Sequence, residues 1–168
     1  TIIDPRGVAI ARQQFDQFGR LAGSSDGNGA ASSQTYDEAN NQQRVVDRRG
    51  NATTYTFDNA GNITRIVDAR GGVTDLTYDA NGNELTRRDP LGNTLTRTYN
   101  AVTGKVLTES DPLGRVTTTA YPSTGKDFER QNPVSVTDPL GRVTTFAYRA
   151  GEQAVPGAAP SSVTEPLG

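Results

Sequence analysis

Carboxylates supply most of the chemistry this sequence could perform. Asp79-Ala80-Asn81-Gly82-Asn83-Glu84 has the oxygen-rich composition of a calcium loop. A twelve-residue calcium loop needs glycine at its sixth place and glutamate at its twelfth. Counted from Asp79, glycine falls fourth and Pro90 twelfth, so the stretch reads as a capped turn. Paired acids could hydrolyse glycosidic bonds, but Asp and Glu recur once per turn, where turns need them. The tyrosines could stack on sugars; their once-per-repeat placement favours cross-strand packing. Asn51-Ala52-Thr53 and Asn62-Ile63-Thr64 are sugar acceptors only in a glycosylating secretory pathway. Cys, His, Met and Trp are absent, which removes disulfides, thiol or imidazole nucleophiles and His/Cys metal sites. No catalytic residue, no cofactor-binding residue and no metal ligand is assigned, no cofactor is expected, and the chain is not read as an enzyme.

The acids matter instead through their spacing. An acidic residue stands three places before a glycine at Asp4, Asp26, Asp47, Asp68, Asp89, Asp111, Asp138 and Glu165, in steps of 22, 21, 21, 21, 22, 27 and 27. An aromatic follows ten residues after the acid at Tyr36, Phe57, Tyr78, Tyr99, Tyr121 and Tyr148, with Phe15 one place late. A near-fixed period of this length is the signature of a repeat architecture. Residues 1–168 are therefore read as one segment of a longer array, with units starting near 4, 26, 47, 68, 89, 111 and 138. Insertions are expected at 122–133 and 149–160, both on one rim, where loops rich in Pro and Gly should be mobile.

Within a unit the pattern is turn, strand, turn, strand. Thr53–Phe57, Ile63–Val67, Thr74–Tyr78, Glu84–Arg88, Thr94–Tyr99, Lys105–Glu109 and Val116–Tyr121 are rich in β-branched or aromatic residues, or continue that beat. Gaps of four or five residues ending near glycine are hairpin gaps, so neighbouring strands should run antiparallel. In Asp89-Pro90-Leu91-Gly92, Asp111-Pro112-Leu113-Gly114 and Asp138-Pro139-Leu140-Gly141, Asp caps a type I turn, Pro presets φ and Gly takes the left-handed φ. Asp58…Gly61 and Asp79…Gly82 form a second turn family, with Asn81-Gly82 a hairpin signal. Residues 8–15 tolerate a helix by residue preference, but the phase of the repeat predicts a strand. Ser24 to Ser33, dense in Ser, Gly, Asn and Asp, reads as a loop.

The fold class expected is all-β: antiparallel hairpin repeats of about 21 residues in a curved, spiralling sheet strip. One unit offers too few apolar side chains to offset its loss of conformational freedom, so it must pair edge to edge with its neighbours. Seven units make about fourteen strands, a ribbon of roughly 65 Å at ~4.8 Å per strand, which is expected to curl. Tyr and β-branched residues should share one face and Thr, Arg and Asp the other, leaving open edges at both ends. Apolar content of 33% is low against the usual ~45–50% and speaks against a thick core. A net charge of −2 and the lack of a basic patch argue against a nucleic-acid partner. No apolar stretch is long enough for a membrane-spanning helix. The missing initial Met suggests a piece of a longer product.

The order Tyr78-Asp79, Gly82, Asp89-Pro90-Leu91-Gly92, Thr94…Tyr99 resembles the YD-repeat or Rhs-repeat family, and the resemblance covers essentially residues 26–148. That family includes bacterial Rhs polymorphic toxins, shell subunits of Tc toxins, wall-associated YD-repeat proteins and teneurins. It implies a β-strip spiralling into a hollow shell, which in the toxins encloses a C-terminal effector. The Asp after the aromatic is missing at Asn100, Pro122 and Arg149. The resemblance also implies a cleavage motif, Asp-Pro-Xaa-Gly-Leu, in toxin members; here Gly92, Gly114 and Gly141 precede Asn93, Arg115 and Arg142, so no self-cleavage residue is assigned. The expectation is a non-catalytic shell segment, secreted or at the cell surface. Its partners would be adjacent repeats of the same chain, an encapsulated toxin domain, or copies associating through open sheet edges. The alternative is an extracellular or wall-associated fibre with adhesive, glycan-binding character.

Overall fold

A computed structural model describes residues 2–5, 7, 9–122, 132–148 and 159–166. Residues 123–131 and 149–158, most of the two expected insertions, lie outside the described residues, as does the end of the last expected turn at 167–168. The chain forms two units, Thr1–Leu76 and Thr77–Gly168, and both are all-β.

In the first unit the strands are β1 (Ile2–Ile3), β2 (Ala9–Phe15), β3 (Leu21–Asp26), β4 (Ala31–Asp37), β5 (Gln42–Val46), β6 (Ala52–Phe57), β7 (Ile63–Val67) and the first four residues of β8 (Val73–Tyr78). The second unit holds the end of β8 and then β9 (Glu84–Arg88), β10 (Thr94–Tyr99), β11 (Val106–Ser110), β12 (Val116–Ala120), β13 (Ser135–Thr137), β14 (Val143–Ala147) and β15 (Ser162–Thr164). Within each unit, strands that follow one another in sequence lie side by side, and the pairing is antiparallel throughout, as between β5 and β6 or β11 and β12. Short turns allow this order, because a hairpin needs only a few residues to reverse the chain. Residues 9–15 form a strand as the repeat phase predicts, despite their helix-tolerant composition.

The stretch from Ser24 to Ser33 departs from the loop reading. It is two paired strands with a turn at Asp26–Gly29. Its small residues are what permits the pairing: Ser24 and Ser32 share a hydroxyl hydrogen bond of 2.9 Å, and Gly23 is buried against the Ser32 carbonyl. Polar composition had signalled a loop, but ladder register decided the conformation.

The sheet has little covered interior. Among the described residues Leu76, 5% exposed, is the one buried hydrophobic side chain. Stability therefore comes from lateral pairing rather than from a packed second layer. The expected division of the faces holds only in part. Alternation along β10 puts Leu95, Arg97 and Tyr99 on one face and Thr94, Thr96 and Thr98 on the other. The threonine side pairs hydroxyls across strands, Thr98 with Thr108 at 2.6 Å and Thr77 with Thr86 at 2.7 Å. The tyrosine side also carries charge. Arg97 donates to Glu109 at 2.7 Å and Glu84 at 3.0 Å, and Arg87 reaches Glu84 at 2.7 Å. A charge is tolerated on that face because no second layer desolvates it and each has a cross-strand or nearby partner.

Candidate functional site

The element that recurs from unit to unit is a turn closed by an aspartate. Asp47 shows its full form. Its backbone N–H donates to the Asn51 carbonyl at 2.9 Å, and Gly50 N–H donates back to the Asp47 carbonyl at 3.0 Å. Asp47 Oδ1 then accepts the N–H groups of Arg49 and Asn51, and Oδ2 accepts the Asn51 amide at 2.9 Å. The same set of bonds recurs at Asp58, Asp79 and Asp89, with Asn62, Asn83 and Asn93. At Asp16, Asp111 and Asp138 an arginine replaces the asparagine, and Arg20, Arg115 and Arg142 donate Nε to Oδ2 at 2.8, 2.6 and 2.6 Å.

Both turn families of the sequence reading thus share one geometry. Gly82 takes φ of +81° and Gly92 +87°, while Asn81 does not enter the left-handed region. The Asn81-Gly82 pair marks a turn, but not the two-residue hairpin that pair most often makes; the backbone is a type I turn followed by a glycine bulge. Asn41, at φ of 50°, is the one non-glycine residue with positive φ among the described residues, in a turn that has no glycine.

These bonds hold the carboxylates ionised. The side-chain amides of Asn51, Asn62, Asn83 and Asn93 lead in lowering Asp47, Asp58, Asp79 and Asp89 below the ordinary carboxylate range, and their backbone N–H groups add to it. At Asp111 and Asp138 the backbone N–H of the following arginine leads. A hydrogen bond from Arg87 leads in lowering Glu84. A depressed folded-state pKa contributes stability that is complete above the unfolded value of about 3.9 and is lost as pH falls through the folded value. Melting curves from pH 7 downwards should therefore stay level to about pH 4 and fall steeply below it. In an Asp47→Asn, Asp58→Asn, Asp89→Asn triple variant the low-pH loss should be shallower; an unchanged acid limb would mean that the turn carboxylates do not set it.

The aromatic marker has a matching role at the strand ends. Tyr99 Oη donates to the Glu84 carbonyl at 2.8 Å, and Tyr36 Oη to the Leu21 carbonyl at 3.2 Å. Each target is the first residue of the preceding strand, fifteen positions back. The pairing register slips at Tyr99, between Thr98 and Tyr99, and at Phe57, between Thr56 and Phe57, and runs evenly through Tyr36. Tyr99→Phe is expected to cost about 0.5–1.5 kcal/mol without loss of the sheet, since Phe57 occupies the same phase naturally; thermal melting checks this.

The turn acids are spread along the rims rather than brought together. Among the described residues no three His, Cys, Asp or Glu side chains gather as a metal site would require. The residues that sequence reasoning missed are the donors after each glycine. The dipeptides Gly50-Asn51, Gly61-Asn62, Gly82-Asn83, Gly92-Asn93, Gly114-Arg115 and Gly141-Arg142 were the available signal. The same residues that break the cleavage motif are the ones that complete the turn.

One concavity stands out in the first unit. An open cleft of about 670 Å³ lies between the Asp16–Gly19 turn and the Asp37–Asn41 turn, lined by Phe18, Arg20, Gln34, Tyr36, Asp37 and Glu38 among others. Arg20 is stacked between two rings, 5.0 Å from the centre of Phe18 and 4.3 Å from that of Tyr36, and is held by Asp16 and Glu38, each at 2.8 Å.

Serial antiparallel hairpins, most of whose described short reversals are aspartate-closed turns, define a β-strip repeat protein. Residues 36–73 match the family model described as RHS Repeat. The fold is similar to the crystal structure of TcdB2-TccC3, with TM-score 0.67 at 19% identity over 83% of this chain. It is also similar to that of TcdB2-TccC3-Cdc42, with TM-score 0.71 at 19% identity over 92%, and to the Photorhabdus luminescens Tc holotoxin pore carrying TccC3-D651A, with TM-score 0.63 at 16% identity over 91%. The chain spans only 8%, 8% and 9% of those chains. At such identities the likeness bears on the fold. No curated protein matches the chain.

Proposed function

We propose that this chain is a non-catalytic wall segment of an Rhs- or Tc-type toxin shell, secreted or at the cell surface, that encloses an effector carried further along the same polypeptide. The observation that carries the reading is the sheet of each unit: strands in chain order, one buried hydrophobic side chain among the described residues, and the same closed turn at Asp16, Asp26, Asp47, Asp58, Asp68, Asp79, Asp89, Asp111 and Asp138. Such a sheet gains its stability by adding neighbours, which is what a wall built from many repeats needs. The RHS repeat match and the similarity to TcdB2-TccC3 support the toxin setting. The units starting near residues 4, 26, 47, 68, 89, 111 and 138 would be its courses, interrupted in sequence near 122–133 and 149–160.

Negative-stain electron microscopy of the intact gene product is the test. A closed hollow particle containing density is expected. A filament or an extended rod would overturn the shell and favour an extracellular fibre.

A further inference from the structure

We infer that the rim carrying Leu91, Leu113 and Leu140 is a lipid-binding edge, whose turn tips insert shallowly into the interface of a bilayer. This goes beyond the wall function and does not depend on it. The three leucines occupy the third place of the turns at Asp89, Asp111 and Asp138. They are the most exposed large hydrophobic side chains among the described residues, at 87%, 77% and 78%. The turns join β9 to β10, β11 to β12 and β13 to β14, so all three lie on one rim of the second unit, about two strand spacings or roughly 9.6 Å apart. Each leucine follows an exposed proline, Pro90, Pro112 or Pro139. In the first unit the same place in the turn holds Asn28, Arg49 or Arg70, so the turn itself does not demand an apolar residue there.

Two properties select lipid as the occupant. The first is that the tips are prepared for a dry medium. Away from water an unpaired N–H is costly. Proline has none, and the N–H groups of Leu91, Leu113 and Leu140 donate to Oδ1 of their own turn's aspartate at 2.9 Å. Gly92, Gly114 and Gly141 donate to the aspartate carbonyls at 3.0, 2.9 and 2.9 Å. The carboxylates are occupied as well: Asp111 and Asp138 are paired with Arg115 and Arg142 at 2.6 Å, and Asp89 accepts the Asn93 amide at 2.8 Å. The second property is spacing. Side chains on tips roughly 9.6 Å apart are separate points and not the continuous apolar patch of a protein interface. A protein partner would need three pockets matched to that spacing, whereas a fluid bilayer accepts each point independently. Leucine and proline side chains alone reach only the headgroup and acyl boundary, where the tip carbonyls stay hydrated.

Flotation of the full chain with phosphatidylcholine vesicles, alone and with phosphatidylserine added, tests the assignment. Binding to both is expected, with affinities within about twofold and insensitive to added salt, because apolar insertion and not surface charge drives it. Leu113→Asn should weaken partitioning roughly tenfold, and the Leu91→Asn, Leu113→Asn, Leu140→Asn triple variant at least about a hundredfold. Asparagine suits the place, since Asn28 and Asn81 hold it in turns closed the same way. The chain has no cysteine, so Leu113→Cys carries a single polarity-sensitive dye. Its emission should shift to the blue on vesicles, while the same dye on Asn81→Cys, on the opposite rim, should not respond; this pair carries the decision if the triple variant melts early. Absence of flotation, flotation that requires phosphatidylserine or is lost in salt, or undiminished flotation of a folded triple variant would overturn the site. A dimer seen by light scattering that the triple variant abolishes, with no flotation, would assign the rim to a second copy of the chain instead.

Discussion

Valine in place of Gly92 or Gly114 is expected to destabilise the second unit by about 1–3 kcal/mol, whereas Thr96→Val should stay within about 0.5 kcal/mol. Both glycines close an aspartate turn at positive φ, +87° and +77°. A β-branched side chain resists that region, because its Cβ substituents crowd the backbone on either side. No neighbouring atom lies within 4 Å of a Cβ built on Gly114, so the cost there is conformational and not a clash. Asparagine should be tolerated better than valine, as Asn41 shows by holding φ of 50° in the Asp37–Asn41 turn of the first unit. Hydrogen exchange is the sharpest readout, since a repeat sheet opens locally. Protection should fall first at the Asp89 and Asp111 N–H groups, which donate to the Asn93 and Arg115 carbonyls. Equal melting of all three valine variants would show that these turns do not hold the hairpins.

Gly23→Ala is expected to cost a comparable amount, about 1–3 kcal/mol, for the opposite reason. Gly23 does not lie at positive φ. Instead a Cβ at this place would stand 2.9 Å from the Ser32 carbonyl oxygen and 3.5 Å from Gln14 Oε1. The first of these is backbone of the paired strand, which cannot swing aside as a side-chain tip could. Relief requires β3 and β4 to part, and with them the hydrogen bond between Ser24 and Ser32. Amide exchange should therefore quicken across Leu21–Asp26 and Ala31–Asp37 and leave Thr94–Tyr99 unchanged. A control is Gly50→Ala, where φ is +84° but no atom lies within 4 Å of the new carbon; its effect should be confined to the turn. Unaltered exchange in β3 and β4 of Gly23→Ala would show that the close approach is not a constraint.

Much of this architecture could be read from residue types because a hairpin is a local object. Asp, Pro and Gly at fixed offsets specify the reversal by their own torsional limits, and five or six β-branched residues between reversals specify a strand. Adjacent strands then have only their sequence neighbours to pair with, so the antiparallel order followed directly. The same logic explains why β2 could be assigned against its helix-tolerant residues.

The misread parts depend on atoms far apart in sequence. The Ser24–Ser33 stretch looked like a loop because its composition is polar, yet register with its neighbours made it two strands. The placement of Arg97 beside Tyr99 was written in strict alternation, but its tolerance depends on Glu84 and Glu109 lying within reach from other strands. The cleft around Phe18 joins two turns about twenty residues apart, and nothing in either turn alone marks a ring stacked on Arg20.

By itself, then, the order of residues determined a repeating series of antiparallel hairpins, where each one turns and which residue closes it, because turn torsions and strand preference act over a few neighbouring positions. Tertiary structure alone decided which carbonyl each tyrosine reaches, which acids meet Arg97 and where the rim opens into a cleft. Those contacts are set by distances across strands, and a shift of one residue in register would send every side chain of a strand to the opposite face.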